Sequence, residues 1–193
     1  MTSFYKGKNV AVAGGSGFIG THYIEKLLEY GANVVTHTHV SPLQIQDDRI
    51  RVIEHLNLEN LEDCYKLCRG ADFVIHAAGR ICHPASVPTD IQVSIQNIKV
   101  TGNLLEACYK SNVKGFLDLN SSTGYPDIRK PLDEDEFWTD EPHAKYYGYG
   151  WMRRFIFVIS PSTTIPRVVS LSNGNQIIKV WIGRIGNRVI ILQ

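Results

Sequence analysis

Gly14-Gly15-Ser16-Gly17-Phe18-Ile19-Gly20 is the stretch whose reading decides the fold. Before it stands a short apolar run, Asn9-Val10-Ala11-Val12-Ala13. After it, Ile19, Tyr23, Ile24, Leu27 and Leu28 recur at helical spacing, with Glu25, Lys26 and Glu29 on the other side. A buried parallel strand, a glycine turn and an amphipathic helix thus follow one another, as at the start of a βαβ unit. The glycines of this Gly-x-x-Gly-x-x-Gly pattern meet separate needs. Gly14 makes the tight turn, Gly17 lets backbone approach a pyrophosphate, and Gly20 lets the helix pack closely. The helix then begins at Phe18 and Ile19, pointing unpaired N–H groups and a partial positive charge at such a phosphate. A purely structural turn is the plainer alternative.

The same alternation continues outward. Gly31 stands where a helix C-cap belongs. Ala32–Thr36 and Ile50–Ile53 read as second and third strands, and a helix starts from Asn60 as N-cap, with Asp63 three residues on. Leu61, Cys64, Leu67 and Cys68 form its apolar face. Ala71–Ala78 reads as a fourth strand. A loop with Pro84 and Pro88 leads to a long helix through Ile91, Ile95, Ile98, Gly102, Leu105 and Cys108, and Gly115–Leu119 reads as a fifth strand. The predicted fold class is α/β, a Rossmann-like doubly wound parallel sheet with right-handed crossovers. Residues 1–157 form the dinucleotide-binding domain, and residues 158–193 are an atypical basic tail.

Composition narrows the function classes. The chain has 193 residues, a formal net charge of +1 and 44% hydrophobic residues, enough for a buried core. No run of 18 apolar residues occurs, so no membrane span is expected. Four cysteines without a paired framework fit a reducing, cytoplasmic setting, and no ligand set has zinc spacing, so no metal is expected. All 19 acidic residues lie at or before Glu141. The basic residues beyond it are scattered singly among apolar ones, apart from Arg153-Arg154, which argues against a nucleic-acid surface.

On these motifs the chain resembles the extended short-chain dehydrogenase/reductases of the NAD-dependent epimerase/dehydratase family, whose members include UDP-galactose 4-epimerase and GDP-fucose synthase. Gly-Gly-Ser-Gly-Phe-Ile-Gly is spelled as in that family. His76-Ala77-Ala78-Gly79 closes the fourth strand where the family lays small residues against the cofactor. Asn97 within Asn97–Ala107 corresponds to the Asn of its long central helix. Asn57-Leu58 stands at the position of an Asp-hydrophobic pair that touches the adenine. The resemblance implies NAD or NADP as cofactor. Thr38 occupies the end of the second strand, where NAD binders carry an acid for the ribose. No acid stands there before Asp47 and no Arg or Lys between Lys26 and Arg49, so the choice of cofactor stays open. His37 and His39 could serve a 2′-phosphate or be plain surface residues.

The family's chemistry uses a Ser or Thr, a Tyr and a Lys. A tyrosine acting as base near neutral pH needs a fixed neighbouring cation, because a free phenol ionises near ~10. Ser121-Ser122-Thr123-Gly124-Tyr125-Pro126 resembles the end of the family's fifth strand. Register selects Ser121 as the hydroxyl, with Ser122 and Thr123 as fallbacks and Thr123 facing the substrate. Tyr149 with Arg153 four residues on supplies the Tyr-x-x-x-cation pair, Arg standing where the family has Lys. The implied activity is an oxidoreductase-type epimerase, dehydratase or reductase acting on a nucleotide-activated sugar. A homodimer through the helices at 91–112 and 144–157 is also implied. Past Arg154 the family pattern stops. Asn173-Gly174 and Gly186-Asn187 suggest turns of a β-meander in place of a substrate domain, and the absence of acids there reads as a truncated or frame-shifted segment. A catalytically inactive dinucleotide-binding module is therefore the alternative, and an interaction protein on a flavodoxin-like sheet is a third class.

Overall fold

The computed structural model describes residues 4–81, 91–127, 135–160 and 168–170, the last as backbone only. Six strands form one parallel sheet: β1 (Asn9–Ala13), β2 (Asn33–His37), β3 (Ile50–Ile53), β4 (Phe73–His76), β5 (Gly115–Asp118) and β6 (Val168–Ser170). Their order is β3-β2-β1-β4-β5-β6, the dinucleotide-fold order with its switch point between β1 and β4. Four helices accompany them: α1 (Phe18–Glu29), α2 (Leu61–Cys68), α3 (Ile91–Lys110) and α4 (Tyr147–Ile159).

The strand period of two divides the core between the two faces. Val10 and Val12 of β1 pack with Ile24 and Leu27 of α1, Val34 and Ile75. Ala11 and Ala13 face the other way, among Leu67 of α2, Leu104 of α3, Val74 and Phe116. Cys64, Cys68 and Cys108 are fully buried in this second cluster as free thiols. A smaller cluster of Val93, Tyr149, Met152 and Ile156 joins α3 to α4.

Local rules set the helix ends. Gly31, at φ 77°, terminates α1 with N–H bonds from Gly31 to the Leu28 carbonyl and from Ala32 to the Leu27 carbonyl. Asn60 caps α2 by accepting the Glu62 N–H at 2.9 Å. Asp63 does not complete a reciprocal box with it. Its carboxylate accepts the Asn57 N–H instead, tying the helix to the preceding turn. Helix α4 runs to Ile159, two residues past the expected domain limit.

Val168–Ser170 adds to the free edge of β5 as a parallel strand, where the tail was expected to leave the family pattern. The segments around 172–175 and 186–187, for which a β-meander is expected, lie outside the described residues, as do Pro84 and Pro88. No helix among the described residues is long and apolar enough to cross a membrane.

Candidate active site

The three loops that leave the carboxyl ends of β1, β4 and β5 meet α4 around a cavity of about 280 Å³. Ile19, Ala77, Ala78, Gly79, Ser121, Thr123, Tyr149 and Arg153, all singled out from the sequence, line it together with Ile81, Leu119, Asn120 and Tyr146. This is the crevice outside the strand ends, at the switch point, where parallel α/β sheets hold their ligands.

In the glycine loop the protein itself requires three bare Cα atoms. A Cβ on Gly14, which sits at φ +84°, would come within 2.6 Å of the Ala78 nitrogen. One on Gly15 would meet the Thr36 hydroxyl, and one on Gly20 the Gly14 carbonyl. Gly17 is different: a Cβ there meets only the Gly14 carbonyl oxygen, at 3.3 Å. Packing among the described residues therefore constrains this position less than the other three. Gly17 is also the N-cap of α1, and no acid stands in the first helical turn, so the positive helix end has no side-chain anion of its own. A pyrophosphate fits this cradle. Phe18 projects into solvent beside it, 81% exposed.

Beneath the loop lies a residue whose role the sequence did not reveal. The Gly14 N–H donates to Nε2 of buried His37 at 3.0 Å, which fixes the imidazole as a neutral acceptor. Burial also pushes the ionisation of His37 down. His37 is thus a support of the glycine turn rather than a surface residue. His39 contacts the Leu56 carbonyl at 3.1 Å. Thr38 stands between them and accepts the His55 N–H at 3.4 Å.

Other expected cofactor positions stand away from the cavity. Asn57 is exposed, and its side-chain oxygen accepts the Glu59 N–H. Leu58 is buried in the core. The Asn97 amide grips the peptide of Arg80: its Oδ1 accepts the Arg80 N–H at 2.9 Å, and its Nδ2 donates to the Arg80 carbonyl at 3.0 Å. This clamp holds the chain leaving β4.

The Tyr-x-x-x-Arg spacing closes as one turn of α4. Arg153 Nη2 donates to the Tyr149 hydroxyl at 2.7 Å, with the guanidinium 5.1 Å from the ring centroid. The Tyr149 hydroxyl in turn donates to the Arg80 carbonyl at 3.1 Å. Across the cavity, Ser121 Oγ accepts from the Thr123 N–H (3.3 Å) and from the Thr123 hydroxyl (3.0 Å). With its lone pairs so occupied, the Ser121 hydroxyl has its own proton to donate. Gly150 brings these groups together, since a Cβ there would strike the Thr123 carbonyl. Arg154 does the fastening. It is buried, donates to the Gly124 and Asp140 carbonyls at 2.8 and 2.6 Å, and lies against the rings of Phe137, Trp138 and Trp151.

The floor of the site is polar. Asp118, at the end of β5, is 2% exposed, and burial pushes its carboxyl up to about 6 against the pull of Arg153. His76, its register partner on β4, is held neutral by burial, with its ionisation near 3. His76 Nε2 is 3.0 Å from the Thr101 hydroxyl and 3.9 Å from Asp118 Oδ1. The latter is too long for a hydrogen bond and, with a neutral ring, is no ion pair. No group of three or more His, Cys, Asp or Glu stands where it could hold a metal, among the described residues.

Known proteins resemble this chain in sequence and in fold. The profile of the NAD dependent epimerase/dehydratase family matches residues 10–156. A UDP-glucose 4-epimerase of Schizosaccharomyces pombe is 33% identical over 166 residues, covering 81% of this chain and 46% of that protein. A GDP-mannose 3,5-epimerase of Oryza sativa subsp. japonica is 25% identical over 144 residues, covering 71% and 38%. Among solved structures, the UDP-N-acetylglucosamine 4-epimerase of Methanobrevibacter ruminantium M1, in complex with UDP-N-acetylmuramic acid, superposes with a TM-score of 0.69 at 25% identity. That match covers 86% of this chain and 54% of that one. The chain spans less than half the length of these two curated relatives.

Two outcomes are expected from the geometry. Gly17→Val should lower dinucleotide affinity at least about tenfold with a near-unchanged circular dichroism spectrum, whereas Gly20→Val should compromise folding itself. Equal damage to folding from both would refute the distinction. The second concerns Asp118, whose carboxyl ionises in the fold at a higher pH than the ordinary ~3.9. A raised acid contributes stability below its unfolded value and loses it as pH rises through the folded one. Asp118→Asn should therefore gain on the parent between pH 4 and 7 by roughly 2–3 kcal/mol, read by urea denaturation at both ends. A difference independent of pH would contradict the buried carboxyl.

Proposed function

The chain belongs to the NAD dependent epimerase/dehydratase family, and from that premise we propose that it binds NAD or NADP on the Gly14–Gly20 loop and acts on a nucleotide-activated sugar as an epimerase, dehydratase or reductase. The observation that carries the reading is the 2.7 Å bond from Arg153 to the Tyr149 hydroxyl on the wall of the cavity that Ser121 also lines. The nucleotide-sugar epimerases among its relatives support the substrate class.

A bound nicotinamide dinucleotide would supply the hydride acceptor and donor. Gly14, Gly17, Phe18, Ile19 and Gly20 would hold its pyrophosphate by backbone and helix end, Ala77, Ala78 and Gly79 would flank it, and Thr38, Asn57 and Leu58 would contribute toward the adenosine half. Tyr149 is the acid–base group. Arg153 stabilises its ionised form by a charge-assisted hydrogen bond, a role that a permanently charged guanidinium can fill in place of Lys. As a hydroxyl Tyr149 donates a hydrogen bond to the Arg80 carbonyl. As a phenolate it would face that carbonyl's lone pair, so the ionised form depends on Arg153. Ser121 donates a hydrogen bond to the reacting sugar oxygen and fixes it within reach of Tyr149, with Thr123 behind it.

The partner surface follows from α3 and α4. Ile91, Ile95 and Ile98 on one helix and Tyr147, Trp151, Phe155 and Val158 on the other are exposed at helical spacing. The two helices pack side by side through Val93 and Met152, and the exposed stripes they carry would supply an apolar face for a second copy of the chain. Free buried thiols fit a cytoplasmic setting.

Nicotinamide fluorescence during titration with NADH and NADPH tests the first step. Turnover with UDP-glucose or GDP-mannose tests the second. Tyr149→Phe should lower any such rate by about 10²–10⁴, and Arg153→Lys should retain it. Full activity in Tyr149→Phe would sink the catalytic assignment, and binding without turnover would favour the inactive dinucleotide module. For the dimer, Phe155→Glu should sediment as a monomer where the parent sediments as a pair. A parent that is monomeric at high micromolar concentration would remove that surface from the proposal.

A further inference from the structure

Asp118 does not line the cavity, yet Leu119, Asn120 and Ser121, the residues that follow it, all do. On β4 the same holds of His76, whose successors Ala77, Ala78 and Gly79 line the cavity. The register pairs His76 with Asp118, so the two side chains lie at one level directly under the site. Asp118 and Asn120 stand two residues apart, and Asn120 Nδ2 donates to the backbone carbonyl of Arg153 at 3.5 Å. Asp118 Oδ2 and Arg153 Nε are both buried without a hydrogen-bond partner among the described residues. A carboxylate in such a place costs stability, which points to a functional use.

A nicotinamide ring lying beside Tyr149, as hydride transfer requires, would sit above this floor. The ring carries a positive charge when oxidised and none when reduced. We propose that Asp118 is a buried counter-charge under the nicotinamide end of the site, where its carboxylate offsets Arg153 and raises the affinity for the oxidised over the reduced dinucleotide. This rests on the reading of Tyr149 and the glycine loop given above.

The titratable and charged groups around Asp118 are His76 on β4, His37 on β2 behind it, and Tyr149 and Arg153 on α4. Thr101 on α3 is uncharged. Burial keeps His76 neutral, with Arg153 and His37 adding to the effect, and burial pushes His37 down as well. Arg153 is the one charge that acts on Asp118 among the described residues. As the pH rises through about 6, Asp118 acquires its negative charge and the net charge of the Asp118–Arg153 pair falls from positive to zero. The oxidised ring then binds better relative to the reduced one. One unit charge buried close beneath a charged ring changes a binding constant by roughly tenfold, about 1.4 kcal/mol.

The test is the ratio of dissociation constants for NAD⁺ and NADH, with NADP⁺ and NADPH in parallel, at pH 5 and pH 7.5. Groups that act equally on both redox forms cancel in this ratio, and no turnover is needed. The expected result is a roughly tenfold fall in the ratio as pH rises, absent in Asp118→Asn, which keeps the low-pH value throughout. A ratio that does not change with pH overturns the proposal, as does a change that persists in Asp118→Asn. Should the variant fail to fold, the pH dependence of the parent still decides. Failure of every dinucleotide to bind at either pH is a separate result, which removes the proposed dinucleotide site and this proposal with it.

Discussion

The parallel register of three central strands is the constraint on which the rest of the structure depends. Ala13 pairs with His76, and His76 with Asp118, so β1, β4 and β5 end at one level. Their successors, the glycine loop, Ala77–Ile81 and Leu119–Thr123, therefore leave the sheet at one edge and converge on one cavity. A one-residue slip in a parallel strand would reverse every side chain on it, turning His76 and Asp118 to the opposite face and opening the space under the site. The apolar faces prevent such a slip. Val10 and Val12 must meet α1, and Ala11 and Ala13 must meet α2 and α3.

Much of this was legible because each feature rested on a short-range rule. The glycine loop announced a strand and a helix by the needs of the residues around it, and periods of 2 and 3.6 placed the elements through β5. Helix α4 was read from its Tyr-x-x-x-Arg spacing, and that spacing closes as a hydrogen bond of 2.7 Å. The residues that sequence reading missed act over long separations. His37 supports Gly14 from 23 residues away, and Tyr149 bonds the Arg80 carbonyl across 69. A His in a Thr-His-Thr-His run looks like any strand-end polar residue, and a backbone carbonyl leaves no trace in residue type. Asp118 lay inside a stretch read simply as a strand, though an acid within a buried strand was itself a signal that deserved a reason.

Arg153 and Arg154 show how neighbours of one type divide the work. Successive helical positions point about 100° apart, so one guanidinium turns to the cavity and the other to the seam between α4 and the turn after β5. Arg154 satisfies two carbonyls and lies among three aromatic rings, an arrangement that suits a planar delocalised cation and would not suit Lys. Arg153 has a softer constraint. One donor reaches Tyr149, and its Nε has no partner among the described residues. Adjacent identical residues in the sequence thus hold the helix in place and equip the site, respectively, and only burial and partners tell them apart.

The polar floor follows from that division. A guanidinium cannot shed its proton, so a site built on Arg153 carries a fixed positive charge in a half-buried place where a Lys could lose its charge. A compensating carboxylate nearby limits that field, but burial resists the carboxylate's charge. Asp118 is caught between the two effects, which leaves its ionisation near 6, within reach of ordinary changes in pH. His76 cannot take over the compensation, because the same burial keeps it neutral and a neutral imidazole offsets nothing. The fixed charge of Arg153 is therefore felt one layer down, at a strand residue that does not line the cavity.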